Sequence, residues 1–480
     1  MKLTFWGAAK QVTGSMYLLE TGSNETFDRF KILVDCGQDM ERKKESDPEP
    51  EPSKYGFFPF DPTEINLVLL THAHIDHTGY LPILFKDGYE GQIICTKSTA
   101  ELADILLQDS ANINARKAKG LENGKHRSKK RKDVDSRTLY FDKQVKETVS
   151  NIVTIPFNER FKIADGIFVN FIPAGHLLGA AHIVVEVNEQ NQKKTICFSG
   201  DLGRKEYPLL IDPQTIPQVD YLISETTYGE RLHKDNDTPV NYMADIIKRT
   251  CIDIQGRLIV PAFSVGRTQA MLYTLNKLYS ENQIAPIKVF TDSPLAKAST
   301  KIYEKASHLM NEEAKAFKEK NGSLFDFENL EYVESLKASK SVSNHSEPCI
   351  IISASGMIQG GRIEHHIEQN ISNPYATILI IGFASEGTLG WDLAYGNREY
   401  LTINGKKLPI LANIEKIDVF SGHGDQDDLI EFVKSQNPNL LKKLFLVHGE
   451  AKAMVSFKEV LKFEGYEQVE IPSKGQTYDL

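Results

Sequence analysis

The stretch Thr71-His72-Ala73-His74-Ile75-Asp76-His77-Thr78-Gly79 holds three histidines and one aspartate within six positions. It directly follows Ile65-Asn66-Leu67-Val68-Leu69-Leu70, a segment apolar enough to form a buried strand. Imidazoles and carboxylates this close together at a strand end are able to surround a pair of divalent cations. The stretch therefore predicts a hydrolase that uses metal-activated water.

The composition is that of an ordinary soluble globular protein. The chain has 480 residues, enough for two or three domains, with 41% hydrophobic and 25% charged residues. No apolar run approaches the roughly 18 residues of a transmembrane helix, so no membrane partner is predicted. The net charge of −9 argues weakly against a protein wrapped in nucleic acid, but does not exclude a single basic groove. Five widely separated cysteines predict buried, reduced thiols in a cytoplasmic protein.

Short apolar segments alternate with helical patterns along the chain, which predicts an α/β fold built in layers. Strands are predicted at 31–35, 66–70, 167–172, 183–187, 195–199, 221–224, 257–261, 287–290, 350–353, 378–381, 417–420 and 444–447. Helices are predicted at 98–116, 239–250 and 267–279.

The potential metal ligands lie before about residue 230 and after about residue 415. The segment between them has its own alternation of strands and helices, which predicts a second domain inserted into the first. We predict that the first domain begins with residues 1–208, that residues 209–405 form the insert, and that residues 406–480 complete the first domain.

The candidate ligands follow predicted strands, where the functional groups of layered α/β folds collect. The set is His72, His74, Asp76, His77, His176, Asp201 and His448. Five imidazoles and two carboxylates suit zinc or a similar borderline cation better than magnesium or calcium, which prefer oxygen. Seven donors are too many for one four-coordinate ion but suffice for two ions, predicted to be zinc, with Asp201 bridging them. The alternative for His176 and His448 is a buried, hydrogen-bonded histidine without a ligand role.

The remaining histidines receive plainer interpretations. His182 is predicted to be a strand residue beside the site. The others are predicted to lie at the surface: His126, His233, His308, His345, His365 and His366.

Several motifs of the chain resemble those of a known protein family. The histidine cluster, Gly175-His176, Ser199-Gly200-Asp201-Leu202-Gly203 and Asp35 resemble the metallo-β-lactamase fold. Three further motifs resemble its β-CASP nuclease branch: Ser224-Glu225-Thr226-Thr227-Tyr228-Gly229, Phe420-Ser421-Gly422-His423-Gly424-Asp425 and Leu446-Val447-His448-Gly449-Glu450. The resemblance implies an αββα sandwich with an inserted α/β β-CASP domain. It is strongest to prokaryotic ribonucleases similar to the endonuclease subunit of the eukaryotic cleavage and polyadenylation machinery.

The resemblance also implies how the metals are held. One ion would be held by His72, His74 and His176, the second by Asp76, His77 and His448, with Asp201 bridging. Asp35 would orient a ligand from behind. A histidine at position 448 is typical of members that act on RNA, whereas DNA-repair members tend to carry an apolar residue there. Single-stranded RNA is therefore the expected partner.

Catalysis is expected to depend on Asp76, Glu225 and His423. We predict that His423 is the general acid for the leaving oxygen and that Glu225 holds it protonated. The expected products carry a 5′-phosphate and a 3′-hydroxyl, from endonucleolytic cleavage with 5′-to-3′ exonuclease activity left open. The alternatives are that Glu225 caps the following loop and that His423 is a packed histidine.

The inserted domain is expected to supply the substrate groove. Its candidate phosphate contacts are Ser264, Arg267, Ser353, Ser355, Gly356 and Arg362. Each could instead belong to a turn or cover a helix face. The basic run Lys125-His126-Arg127-Ser128-Lys129-Lys130-Arg131-Lys132 is either an arm that attracts phosphates or a solvated loop.

Several alternatives stay open at this level. The same site could act on DNA or on a small ester, and the chain could be an inactive RNA-processing scaffold or a di-iron electron-transfer protein. We expect neither the N-terminal RNA-binding extension of many archaeal members nor the C-terminal dimerisation domain of RNase J. A homodimer is left open.

Overall fold

The computed structural model of the chain describes residues 1–22, 29–40, 54–122, 135–189, 192–233, 238–382, 384 and 387–480. The basic run 125–132 lies outside the described residues. Two compact units are present: the first comprises Met1–Lys205, Asp212–Leu232 and His423–Leu480, and the second Glu206–Ile211 and His233–Gly422. The second unit is thus an insertion in the first.

The unit boundaries differ from the predicted boundaries near 209 and 405. The strand Tyr221–Glu225 pairs in parallel with Gln192–Phe198 and with Lys443–Val447, so the first unit extends to Leu232, apart from the short segment Glu206–Ile211 that belongs to the second unit. The strand Asn413–Ile417 pairs with Ala376–Ile381 and therefore belongs to the insert. It also replaces the strand predicted at 417–420.

The first unit contains two seven-stranded sheets. The first sheet has the order Gln476–Asp479, Lys2–Phe5, Tyr17–Thr21, Phe30–Val34, Leu67–Leu69, Gln92–Cys95 and Ile152–Thr154. The second has the order Val469–Glu470, Lys443–Val447, Tyr221–Glu225, Gln192–Phe198, Ala181–Glu189, Ile167–Pro173 and Arg160–Ala164. The described helices of this unit are Pro62–Glu64, Ile75–Thr78, Leu81–Lys86, Lys97–Glu122, Ser136–Thr138, Asp142–Ser150, Gln426–Lys434 and Ala451–Phe463.

The two sheets of the first unit face each other across a common core. Leu67 and Leu69 are buried in that core together with Phe198 and Phe445 of the second sheet. Val68, between them, points to the opposite face and packs in a separate cluster with residues of the helix Leu81–Lys86. Because successive strand residues alternate in direction, an all-apolar strand serves two cores.

A helical layer also covers the outer face of the second sheet, where Leu429 and Phe457 pack against Leu444. These side chains come from the helices Gln426–Lys434 and Ala451–Phe463. The first unit is therefore the predicted αββα sandwich.

The second unit is a six-stranded parallel sheet with helices. Its strand order is Leu330–Tyr332, Lys288–Asp292, Cys349–Ser353, Arg257–Pro261, Ala376–Ile381 and Asn413–Ile417. Two of these strands, Cys349–Ser353 and Ala376–Ile381, are buried along their whole length, as expected for a parallel sheet covered on both faces. The described helices are Pro239–Ile247, Lys248–Asp253, Arg267–Ser280, Pro294–Lys305, Ser307–Leu309, Glu312–Asn321, Leu336–Val342, Ile363–Asn370 and Leu389–Tyr395.

A separate hairpin of Tyr400–Ile403 and Lys406–Pro409 turns at Asn404-Gly405 in the second unit. Among the described residues, no helix combines the length and the apolar character needed to cross a membrane.

Candidate metal centre and catalytic residues

The predicted ligands meet at the carboxyl ends of strands in the first unit. His72 and His74 follow Leu67–Leu69, and His176 follows Ile167–Pro173. Asp201 follows Gln192–Phe198, and His448 directly follows Lys443–Val447. The short helix Ile75–Thr78 carries the last two, Asp76 and His77. The structure brings all seven together in two groups, which meet at Asp201.

The first group consists of His72, His74, His176 and Asp201, whose donor atoms lie within 4.8 Å of one another. His74 Nδ1 is 3.1 Å from His72 Nε2 and 3.2 Å from His176 Nε2. Asp201 Oδ2 is 3.5 Å from His72 Nε2 and 3.4 Å from His176 Nε2. Three imidazole nitrogens and one carboxylate oxygen thus point at one centre.

The second group consists of Asp76, His77 and His448. His448 Nε2 is 3.4 Å from His77 Nε2 and 3.5 Å from Asp76 Oδ2. The other oxygen of Asp201, Oδ1, lies 3.3 Å from His77 Nε2 and 3.5 Å from His448 Nε2. Each oxygen of the Asp201 carboxylate therefore faces one group, which is the geometry of a bridging ligand.

The spacing of the donors matches a tetrahedral cation. Ligand bonds of about 2.0–2.1 Å to zinc place neighbouring donors about 3.3 Å apart. The separations given above span 3.1–3.5 Å. Asp201 Oδ1 is also buried without a hydrogen-bond partner in the described part of the chain, which is costly unless a cation binds it. The residues present therefore fit a pair of metal ions.

The electrostatics of the site favour the metal-binding forms of His72, His74 and the two carboxylates. Burial lowers the pKa of His72 well below its ordinary value and that of His74 to about 4, so both imidazoles are neutral near pH 7. Burial alone would raise the pKa of both carboxyls, but neighbouring histidines outweigh it. The pKa of Asp76 falls to about 2, chiefly through His448 and His77, and the pKa of Asp201 falls well below its usual range.

His77 shows how strongly this site attracts positive charge. Burial would lower its pKa, but Asp201 and Asp35 outweigh burial and hold the pKa of His77 well above its ordinary value. A proton and a cation therefore compete for the same place, and metal binding is expected to release protons.

Asp35 connects the second group to the strand behind it. It is fully buried, and its Oδ1 accepts a hydrogen bond from Thr71 N at 2.8 Å. Its Oδ2 accepts one from Thr71 Oγ1 at 2.8 Å and lies 2.7 Å from His77 Nδ1. With the Nδ1 proton donated to Asp35, the lone pair of His77 sits on Nε2, which faces the donor group. This is the arrangement that the predicted role of Asp35 requires.

Two site residues adopt a left-handed backbone. The φ angles are 57° at Asp35 and 49° at His448, a conformation that costs about 1–3 kcal/mol for residues other than glycine. Gly200, beside Asp201, has φ 56°, and a Cβ there would lie 2.7 Å from Thr71 Cβ. The strand ends are therefore bent sharply to aim these side chains, and position 200 requires glycine.

Replacing Asp35 by asparagine is expected to weaken metal binding by about 10–100-fold, because the amide offers one acceptor oxygen where the carboxylate offers two. Competition with a chelator of known affinity would measure the change. Asp61→Asn is the matched control, because Asp61 accepts hydrogen bonds from Thr63 and touches no candidate ligand. Equal metal affinity in Asp35→Asn and the parent would contradict the assigned role.

Glu225 and His423 form a pair beside the first group. Glu225 is 1% exposed, and its Oε1 accepts from Leu202 N at 2.6 Å and lies 3.1 Å from His423 Nδ1. Its Oε2 accepts from Thr227 N at 3.2 Å. The His423 side chain is 14% exposed, and its ring centre is 4.5 Å from that of His176. Because Nδ1 faces Glu225, Nε2 is the nitrogen left to exchange a proton with a substrate.

The predicted substrate contacts all lie in the second unit, where most have protein partners. Ser353 Oγ donates to Asp292 O, and Ser355 Oγ donates to Gln359 O. Ser264 Oγ lies 3.0 Å from the hydroxyl of Ser293, a residue that caps the helix Pro294–Lys305. Gly356 packs so closely on Phe263 that a Cβ would lie 2.9 Å from the ring.

The two predicted arginines are also held inside the second unit. Arg267 is 9% exposed and donates to Ile381 O at 2.9 Å. Arg362 donates to Asp292 Oδ1 at 2.6 Å and to Val333 O at 2.9 Å. Their contact with RNA, like that of the serines and Gly356, stays a prediction.

Sequence reasoning missed several residues. His366 was predicted at the surface but is fully buried, with Nε2 2.7 Å from Asp292 Oδ2. The burial of His366 could have been predicted from the sequence. The residues of one buried helix face stand at helical spacing, namely Ile363, His366, Ile367 and Asn370. His182 is a buried strand residue as expected, with Nδ1 2.6 Å from Ser199 O. Thr227, whose hydroxyl lies 3.0 Å from His448 Nδ1, was not singled out.

Comparisons with known proteins agree with this organisation. Residues 10–238 match the model of the metallo-beta-lactamase superfamily, residues 268–393 the Beta-Casp domain, and residues 407–472 the Zn-dependent metallo-hydrolase RNA specificity domain. The first and last matches cover the candidate ligands, and the middle match falls within the insert.

Similar proteins span nearly the whole chain. It is 31% identical to ribonuclease TTHA0252 of Thermus thermophilus, over 97% of each chain. It is 28% identical to transcription termination factor FttA of Methanosarcina mazei, over 99% of this chain and 70% of that protein. It is 27% identical to cleavage and polyadenylation specificity factor 73 of Drosophila melanogaster, over 95% of this chain and 61% of that protein. The chain therefore belongs to the β-CASP ribonucleases of the metallo-β-lactamase superfamily.

Proposed function

We propose that this protein hydrolyses the phosphodiester bonds of single-stranded RNA with two zinc ions, leaving 5′-phosphate and 3′-hydroxyl ends. Its family makes it a metal-dependent nuclease that acts on RNA. The observation that carries the finer proposal is the pair of donor groups that share the Asp201 carboxylate, with His423 beside them. Cleavage within a strand is the proposed main activity, and 5′-to-3′ exonuclease activity is a further proposal.

The ligands prepare the site for a negatively charged substrate. When bound, a pair of cations lowers the pKa of a nearby water and offsets the charge of the phosphate. The imidazoles of His72 and His74 are neutral, so they do not reduce the positive charge that bound cations would present to the phosphate. Asp201 ties the two positions to one carboxylate and thereby fixes their separation.

His423 and Glu225 act on the leaving group in this proposal. Cleavage that leaves a 3′-hydroxyl breaks the bond from phosphorus to the 3′-oxygen, and that oxygen must gain a proton. His423 Nε2 donates the proton, while Glu225 holds Nδ1–H and stabilises the imidazolium before the transfer. The backbone pairing of His423 with Gly203 fixes the ring beside the first donor group.

The alternatives are weaker on specific grounds. All seven predicted ligands are present and converge, which argues against an inactive scaffold. The insert comprises about two hundred residues. It resembles the insert of enzymes that act on polymeric substrates, which argues against a small ester as the substrate. DNA is the remaining alternative substrate. A homodimer and a cytoplasmic location stay predictions.

Metal analysis coupled to RNA digestion tests the proposal. We expect about two zinc ions per chain, and cleavage of a circular single-stranded RNA, which only an endonuclease attacks. The products should be degraded by a 5′-phosphate-dependent exonuclease and extended at the 3′-end by a poly(A) polymerase. A matched circular DNA is the control substrate. Products ending in a 3′-phosphate, or equal cleavage of DNA, would refute the proposal as stated.

A further inference from the structure

Ser15 lies against the second donor group from its buried side. Its side chain is completely buried, and its Oγ is 3.4 Å from His77 Nε2. That nitrogen is the one that His77 directs at the group, because its Nδ1 faces Asp35. A residue this deeply buried has no access to RNA, so its hydroxyl acts only on its buried neighbours, and one of these is the predicted ligand His77.

The position of Ser15 is fixed by the main chain. Its N–H donates to Asp76 O at 2.8 Å, and its carbonyl accepts from Gly37 N at 2.9 Å. A Cβ on Gly37 would lie 1.6 Å from Asp76 O. The main chain at Ser15, Gly37 and Asp76 is therefore closely packed. The hydroxyl of Tyr17 also hydrogen-bonds the Ser15 side chain. The Ser15 oxygen is therefore held in place relative to the helix that carries two of the ligands.

The spacing of Ser15 matches that of a ligand. Hydrogen bonds between hydroxyl and oxygen are usually about 2.7–2.8 Å long, and the 3.4 Å contact of Ser15 Oγ with His77 Nε2 is long for a hydrogen bond. The predicted ligands of this position, however, lie 3.3–3.5 Å from one another. Ser15, His77, Asp201 and His448 also line one small cavity. The separation of Ser15 Oγ and His77 Nε2 is thus that of two neighbouring donors around a shared cation.

We infer that Ser15 Oγ is a fifth donor to the second cation, and that it shifts this position toward oxygen-preferring divalent ions such as Mn²⁺. The inference rests on the two-cation function proposed above. With Ser15, the second position has three oxygen and two nitrogen donors, namely those of Asp76, Asp201, Ser15, His77 and His448. The first has three nitrogens and one oxygen. Since carboxylate and hydroxyl oxygens suit Mn²⁺ and imidazoles suit zinc, the two positions differ in preference.

A Mn²⁺ titration of the metal-free full chain, followed by electron paramagnetic resonance, tests this inference. The parent should bind two Mn²⁺ ions. Because the two positions differ in affinity, the titration curve should show two separate binding steps. In Ser15→Ala, one step should weaken by about 10-fold while the other is unchanged, and Zn²⁺ affinity should change less. Identical Mn²⁺ binding by Ser15→Ala and the parent would overturn the inference. Ser98→Ala, a buried serine outside both donor groups, is the matched control.

A second variant reports coordination directly. Ser15→Cys loaded with Co²⁺ should show a thiolate-to-metal charge-transfer band that Ser98→Cys lacks, because the sulfur then occupies the donor position. Absence of the band from a folded, Co²⁺-loaded Ser15→Cys would overturn the inference. Binding of fewer than two ions by the parent would instead refute the two-cation function. The two failures are thus distinguishable.

Discussion

Replacing Asp201 by asparagine is expected to lower RNA cleavage by about 10⁴-fold or more, the largest effect of any single substitution considered. The Asp201 carboxylate presents Oδ2 to the first donor group and Oδ1 to the second. An amide keeps one oxygen, replaces the other with an NH₂ group that has no lone pair to give, and removes the negative charge. At least one of the two positions therefore loses its shared ligand.

Metal content and cleavage rate should be measured on the same Asp201→Asn sample. We expect fewer than two ions per chain, with retained secondary structure by circular dichroism. The matched control is Asp220→Asn, since Asp220 lies at the other end of the adjacent strand and pairs with Thr195 and Lys442. This control should keep the metals and the activity. Parental metal content in Asp201→Asn would show that the carboxylate does not bridge.

His423→Ala should slow RNA cleavage by about 10²–10⁴-fold while leaving metal content unchanged. The imidazole supplies the proton for the 3′-oxygen, and alanine leaves that alkoxide to depart unprotonated. An aryl phosphodiester with an acidic phenol as leaving group needs no such proton. The variant should therefore hydrolyse the aryl ester at nearly the parental rate. A loss of equal size on both substrates would show that His423 is not the general acid.

Glu225 provides the second half of this test. Glu225→Gln should reduce cleavage in the parent but have little further effect in the His423→Ala background, because both residues act on one proton transfer. His308→Gln, at an exposed position of the insert, is the control for loss of a histidine. Full additivity of the two substitutions would separate Glu225 from the proton transfer.

Much of the first unit could be predicted from the sequence because its strands are short, apolar and followed at once by ligands. The segment Leu67–Leu69 is buried on both faces, so its apolar run continues without a polar residue to Leu70, two positions before His72. The parallel strands of each sheet bring their carboxyl ends to one edge, and ligands far apart in the chain therefore meet. This rule placed Asp201 and His448 in one site without knowledge of strand order.

The remaining features depend on contacts that the sequence does not encode locally. The unit boundary is set by the pairing of Tyr221–Glu225 with a strand more than two hundred residues later, which no local pattern reveals. Ser15 and Thr227 gain importance only through the histidines that fold against them. The helical spacing of the residues around His366 indicated that they share a buried face. Burial of the His366 imidazole is unfavourable, however, unless a partner such as Asp292 pairs with its nitrogen.

The pairing of the strands Tyr221–Glu225 and Lys443–Val447 has a consequence for the synthesis of the chain. Until Lys443–Val447 has been synthesised, Tyr221–Glu225 lacks its neighbour on one side, and His448, which directly follows Lys443–Val447, is still missing. The second donor group can therefore be completed only after residue 448 has been synthesised, more than 370 residues after Asp76.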